Sequence, residues 1–484
     1  MAWFSGSGYW LGRLVLERGV AVVYVIAFVA AATQFRALIG EHGMLPVSRF
    51  LDGRSFRQAP TLFQLRYSDL LFAAVAWSGA ALSAAIAAGV ADLAPLWASM
   101  LMWLTVWALY LSIVNVGQVW YGFGWESLLL ETGFLMIFLG NDRCAPPVLT
   151  LWMVRLLLLR VEFGAGLIKI RGDPCWRNLT CLYYHHETQP MPGPLSWFFH
   201  HLPQRLHRIE AAGNHVAQLI VPFGLFAPQP VASVAAAVVV ITQLWLVASG
   251  NFAWLNWLTI LLAFAAVDDG SVRALVPVPV HAPWPASPHW FAAAVIGFTV
   301  AVLILSYWPL RNMASPGQRM NMSFNSFHLV NTYGAFGVVG RVRREVVIEG
   351  TADTRVTAQS VWKEYGFKGK PGDVRRLPRQ WAPYHLRLDW MMWFAAISPG
   401  YAEPWLGPLL ERLLRNDRPT LHLLRHNPFP ESPPTFVRVL LYRYSFTSWP
   451  ELRRDRAWWQ RTLEGSYLPG EIMLAERQAG KDTR

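Results

Sequence analysis

Over the first 311 residues, apolar runs of near membrane length alternate with loops crowded with Arg, Gly, Pro and Trp. A helix needs about 20 apolar residues to cross a bilayer. That measure predicts spans at about 14–35, 70–90, 96–116, 118–139, 149–170, 216–249, 252–267 and 290–308. The segment at 118–139 opens with WYGFGWESLLLETGF, whose Trp and Tyr belong at headgroup level, so it reads as an interfacial helix that then enters the membrane. The run at 216–249 is broken by Pro222, Pro228 and Pro230 and reads as a short or re-entrant piece followed by a full span. The expectation is an α-helical integral membrane bundle of about seven spans.

The pattern changes after Arg311, where apolar runs shorten and period-two alternation takes over. Tyr384-His385-Leu386-Arg387-Leu388-Asp389-Trp390 alternates apolar with polar and predicts a half-buried strand, with His385, Arg387 and Asp389 on a solvated face. Val437–Thr447, Glu345–Glu349 and Val361–Phe367 are also expected to be strands. About Pro404–Arg415 and Pro419–Arg425 are expected to be short helices, each opened by a proline. The division that follows is a polytopic transmembrane domain at 1–311 with a His/Trp/Pro-rich loop at 171–215, a mostly-β soluble domain at 312–470, and a charged tail at 471–484.

Composition agrees with a membrane protein: 54% of the 484 residues are hydrophobic and only 15% are charged, against roughly 25% in soluble domains. The net charge of +12 is Arg spread through loops, with no nucleic-acid module, so basic flanks of membrane spans account for it. Lys is scarce beside Arg, a habit of GC-rich bacterial genomes. The first apolar run lacks a small-residue cleavage site and reads as a retained anchor. The loops at 36–69 and 171–215 are both basic, so the positive-inside rule leaves the orientation open. No internal repeat is visible, which counts against a transporter.

Candidate chemistry concentrates in 153–203. Ionisable groups in an apolar span cost about 2.5–3.5 kcal/mol each and normally face partners inside a bundle. Arg155, Glu162 and Lys169 are spaced at i, i+7 and i+14, on one helical face, with Arg160 nearby. Glu126 and Glu131, one segment earlier, are the natural partners of Arg155 and Arg160, and Glu162 that of Lys169. This ladder serves either to hold the bundle or as a functional site at the membrane boundary.

The loop that follows holds Asp173, Trp176, His185, His186, Glu187 and Trp197 as candidate partner-binding residues. Cys175 and Cys181, six apart, are a candidate disulfide if that side is oxidising; unpaired thiols are the alternative. Of the two His pairs, 185–186 and 200–201, each offers at most one ligand to a shared ion, which would need Glu187 or Asp173 besides, so no metal and no cofactor is expected. No G-x-S-x-G, Walker A, H-E-x-x-H or Rossmann fingerprint occurs, and the catalytic residues are unassigned.

Several long words, in order, resemble the lipase maturation factor family: IGEHGMLP (Ile39–Pro46), FGWESLLLETGF (Phe123–Phe134), RGDPCWRNLTCLYYHHETQPMPGPLSWFFHHLP (Arg171–Pro203), NTYGAFG (Asn331–Gly337), WKEYGFKGKPGD (Trp362–Asp373), PYHLRLDWMMWFAA (Pro383–Ala396) and LYRYSFT (Leu441–Thr447). The resemblance implies a membrane protein of the endoplasmic reticulum in animals, needed to fold and assemble secreted lipases, with its C-terminal domain non-cytoplasmic. It supplies no catalytic residues. For a bacterial member the inner membrane takes that place, with an exported client. A diffuse likeness to vitamin K-dependent carboxylases leaves an alternative: a membrane enzyme using Lys169, Glu162 or His185 on a lipid-soluble or protein substrate.

Overall fold

The computed structural model describes residues 2–277 and 284–474. Ten helices of its membrane half matter here: α1 (Trp10–Leu38), α2 (Asp69–Ala88), α3 (Leu96–Val116), α4 (Gly124–Met136), α5 (Val148–Arg171), α6 (Leu182–Thr188), α7 (Gln204–Leu219), α8 (Val231–Ser249), α9 (Leu255–Ala263) and α10 (His289–Leu305). Four of them, α1, α2, α3 and α8, and the 26-residue helical run His289–Ala314 that α10 opens, are long and apolar enough to cross a membrane. The expected segment at 118–139 is a single 3-10 turn followed by α4, which at 13 residues is too short to cross.

Local chemistry sets the boundaries. Ser68 caps α2 by accepting from the Leu71 N–H, and Gly89 (φ 100°) ends it in a left-handed conformation that glycine adopts without cost. α1 lies closely along α2: a Cβ at Gly79 would run into the Phe28 ring. α5 starts directly after Pro146 and Pro147, consistent with proline at a helix entrance.

The C-terminal region is α+β rather than mostly β. Its elements are β1 (Arg343–Thr351), β2 (Lys363–Glu364), α11 (Arg387–Ile397), α12 (Leu406–Leu414), α13 (Arg418–Leu423), β3 (Phe436–Phe446), α14 (Trp449–Asp455) and β4 (Trp459–Ser466). The four strands form one antiparallel sheet in the order β2-β1-β3-β4, with Val347 opposite Leu440 and Phe446 opposite Trp459. β1, β3, α12 and α13 fall where the pattern put them, while Val361–Phe367 contributes only the two residues of β2. β4 reads WQRTLEGS, an edge strand too exposed to show apolar alternation.

Tyr384–Trp390 is not a strand. Arg387, Leu388, Asp389 and Trp390 lie in the first turn of α11 and are all buried. Both halves of the alternation are drawn inward: the His385 ring packs among Phe123, Trp125 and Trp254, and the Tyr384 hydroxyl hydrogen-bonds with Thr33 and Gln34. The alternation does not separate solvent from core, so the expected solvated face of His385, Arg387 and Asp389 is corrected: Arg387 meets Glu126, and Asp389 accepts the N–H groups of Gly369 and Lys370 at 2.6 and 3.0 Å.

One apolar core runs without a break from Tyr24 and Phe28 of α1 through Leu157 of α5 to Trp390, Leu409 and Val439 in the C-terminal region. Most of the tail expected at 471–484 lies outside the described residues.

Candidate functional site

The ionisable groups predicted as a ladder on α4 and α5 each find a partner, though not always the one their spacing suggested. Arg160 pairs with Glu131, joining α5 to α4. Glu131 also accepts from the Asn331 N–H (2.9 Å), the Asn331 side-chain amide (3.0 Å) and the Tyr333 hydroxyl (2.8 Å), and Arg160 donates to the Asn331 carbonyl (2.9 Å). The Asn331–Gly337 word thus plugs into the membrane half through its polar residues. Arg155 does not meet Glu126; it donates to the carbonyls of Ala265 (2.9 Å) and Leu225 (3.2 Å). Those carbonyls lie at a break in the backbone between short helices, where unpaired acceptors need a donor.

Glu126 is instead taken by the C-terminal region. Arg387 reaches it at 2.7 Å, His385 Nδ1 lies 3.7 Å away, and the Tyr110 hydroxyl donates to its other oxygen. Arg387 also lies 3.4 Å over the Tyr121 ring and donates to the Trp120 carbonyl at 2.7 Å. All of this is fully buried, so the pair locks α11 into the mouth of the bundle.

Glu162 and Lys169 are not joined by a hydrogen bond. Glu162 accepts from Gln243 of α8 at 2.6 Å, and Gln243 in turn accepts from Asn256 of α9 at 2.7 Å. Lys169 donates to Asn214 (2.8 Å) and Gln218 (2.9 Å) of α7 and lies over the Trp176 ring. Residues spaced by seven along α5 thus meet different segments, Glu162 reaching α8 and Lys169 reaching α7.

After α5 the chain turns at Gly172, where a Cβ would collide with the Gly337 carbonyl. Asp173 caps the next turn by accepting from the Cys175 N–H (3.0 Å) and pairs with Arg341 (2.8 Å). That hydrogen bond from Arg341 holds the Asp173 carboxyl below its usual range. Cys175 and Cys181 are joined as a disulfide, and Trp176 donates to the Phe336 carbonyl at 2.8 Å. His185 packs against Phe336 and Phe252. Burial pushes both His185 and His186 down to about 3, so both rings are neutral. Glu187 accepts the Phe446 N–H at 2.7 Å, and Trp197 donates to the Thr447 carbonyl at 2.9 Å.

Most of the loop is therefore turned inward: Trp176, His185, His186 and Trp197 are buried, Trp176 and His185 against Phe336, His186 against Phe199 and His207, and Trp197 against the sheet. Arg171, Arg177 and Asn178 are exposed at its start, and further on two apolar side chains are: Leu195, and Phe198 packed edge-on to Trp449 of α14. Sequence reasoning missed Arg343, fully buried on β1, which pairs with Glu345 and donates to the carbonyls of Glu187, Gln189 and Pro190. Glu345 also meets Lys370 at 2.9 Å. The signal lay in RREVVIEG, where Arg343 and Glu345, two apart, share one face of a strand with the apolar run Val346–Ile348 beside them.

A model of the lipase maturation factor transmembrane domain matches residues 11–274, more than half of the chain, and one of the lipase maturation factor C-terminal domain matches residues 329–469. Lipase maturation factor 1 of Bos taurus is 41% identical over an alignment of 505 residues, covering 95% of this chain and 89% of the relative. Its Homo sapiens counterpart is 40% identical, covering 95% and 88%. Lipase maturation factor 2 of Homo sapiens is 29% identical, covering 96% and 83%. No solved structure matches. These relatives are animal proteins and give no support to the bacterial source suggested by the scarcity of Lys. With both halves matched in order and nearly the whole chain aligned, the chain belongs to the lipase maturation factor family.

Proposed function

We propose that the chain is a membrane-embedded maturation factor that helps a secreted, lipase-like client reach its active form. The observation that carries this reading is the likeness to the lipase maturation factors, which extends over 95% of the chain. The exposed Leu195, Phe198 and Trp449 supply the apolar surface on which a partly folded client would rest, since exposed aromatic clusters mark protein contacts. The loop residues from Asp173 to Trp197 hold that surface in place. Cells lacking the chain should secrete a co-expressed lipase with reduced activity per unit of secreted mass. Wild-type chain should restore it, and Phe198→Ser/Trp449→Ser should restore little. Unchanged specific activity of the lipase in the deletion cells would overturn the reading.

Adding α5 to the five long apolar helices gives six full spans, and α9 enters the membrane as a seventh, partial one. α5 has the length, and its charges are satisfied inside the bundle. Leu255–Ala266 covers only about 18 Å of the roughly 30 Å core at 1.5 Å per residue, so it enters without crossing fully. We place the loop and the C-terminal region together on the oxidising side, the lumen of the endoplasmic reticulum in an animal cell. The Cys175–Cys181 disulfide favours that side, and the Asp173–Arg341 pair ties the loop to the segment leading into β1. Asn178, exposed beside the disulfide in the sequon Asn178-Leu179-Thr180, reports the side directly. In animal cells the chain should show a glycosidase-sensitive mass shift that Asn178→Gln removes, and protection of the loop from external protease in sealed microsomes. Cleavage of the loop from outside would reverse the orientation.

A further inference from the structure

α7 is amphipathic, and on one of its faces His207 and Glu210 lie three residues apart, pointing toward His186 of α6. His207 Nδ1 is 3.9 Å from Glu210 Oε2, and His186 Nε2 is 4.0 Å from the same oxygen. The three atoms all lie within 4.8 Å of one another. These separations are too long for hydrogen bonds. Both nitrogens of His186, Nδ1 of His207 and Oε2 of Glu210 are buried with no hydrogen-bond partner. A buried polar atom left unpaired costs about 1–3 kcal/mol, and here several converge on one point.

The opposite side of each α7 residue is held. His207 Nε2 donates to the His200 carbonyl at 3.3 Å, which leaves Nδ1 as the lone-pair nitrogen. Glu210 Oε1 accepts from the Trp245 indole of α8 at 2.8 Å, which leaves Oε2 free. Hydrogen bonds of this kind behind the ligands orient metal sites and fix their tautomers.

We propose that His186, His207 and Glu210 form a zinc site at the edge of the membrane half. Two imidazoles and one carboxylate suit zinc rather than calcium or magnesium, which take oxygen ligands. Ligands about 2.0–2.2 Å from a tetrahedral zinc lie about 3.3–3.6 Å from one another, so closure asks for a contraction of about half an ångström at the two His–Glu210 distances and of up to about 1.5 Å between the imidazoles. Three protein ligands leave one of the four positions open. The metal pins α6 to α7, one residue from Glu187, which accepts the Phe446 N–H of the C-terminal sheet. The nearby group of Asp173, Cys175 and Cys181 is a weaker candidate, because its sulfurs are joined to each other and not available as thiolates. The zinc site is independent of the maturation role and stands or falls without it.

The test is the metal content of the full-length chain, purified in detergent without chelator and then dialysed against Zn²⁺. Mass spectrometry of the elements should find one zinc per chain in the wild type and in Cys175→Ser/Cys181→Ser, and none above background in His207→Ala or Glu210→Gln. Trp245→Phe should keep the zinc but bind it about 10-fold or more weakly against a chromophoric chelator. Cobalt in place of zinc should give the visible bands of a tetrahedral site in the wild type and not in Glu210→Gln. A wild-type chain that takes up no zinc overturns the proposal whatever the variants do. Zinc that survives in folded Glu210→Gln, or that disappears with the two cysteines, overturns it as well.

Discussion

Glu131 shows why a buried charge has to be read with all of its partners. It receives Arg160 together with three neutral donors from Asn331 and Tyr333, so the position requires an acceptor and not merely a negative charge. Removing one member of a buried pair strands the other and costs about 3–5 kcal/mol, whereas replacing both with apolar residues often comes out near neutral. Arg160→Met should therefore lower the melting temperature of the detergent-solubilised chain sharply. The charge-swapped Glu131→Arg/Arg160→Glu should not restore it, because a guanidinium at position 131 would face the donors of Asn331 and Tyr333. The pairing of Glu126 with Arg155 expected from spacing yields a second test. In double-mutant cycles on stability, Glu126 should couple to Arg387 by more than about 1 kcal/mol and to Arg155 by close to nothing. Arg155 and Arg160 were visible as costly charges. Which acceptors they take follows from backbone breaks at Leu225 and Ala265 and from the Asn331 segment, 171 residues beyond Arg160.

The most informative element is the stretch that leaves α5 and runs to Pro203. Its Gly, Asp, Trp and His content marked it as special, and the resemblance fell on the same words. Its residues mostly turn inward: Asp173 to Arg341, Trp176 to Phe336, Glu187 to Phe446 and Trp197 to Thr447. Gly172→Ala should be costly despite the small change, since the added Cβ meets a carbonyl that cannot retreat without moving the 334–337 segment. The expected result is a drop in the yield of folded chain and faster protease cleavage between 171 and 203. Gly213→Ala, in open space on α7, should leave both unchanged. Tyr384–Trp390 shows the opposite case, an element whose type was misread. Period-two alternation over seven residues identifies a strand only if its polar half faces water, and here Arg387 and Asp389 are buried against Glu126 and two backbone N–H groups.

At the scale of the whole molecule, the continuous core and the buried Glu126–Arg387 and Arg343–carbonyl contacts tie the C-terminal sheet to the membrane half. Residues 312–470 expressed alone should therefore expose Arg343 and Trp390 and be digested rapidly. Co-expression with residues 1–311 should restore protection, as read by limited proteolysis. The sequence by itself settled what depends on local pattern: apolar runs of membrane length, the positions of β1, β3, α12 and α13, and the family, carried by long words in order. It also marked Arg155, Arg160, Glu162 and Lys169 as groups that must find partners, because burying an unpaired charge is prohibitive in any fold. Only the tertiary structure decided who those partners are, that the His-rich loop is a joint under the sheet, and that His186 meets His207 and Glu210. Those pairings join residues tens to hundreds of positions apart, and periodicity carries information only about neighbours on one element.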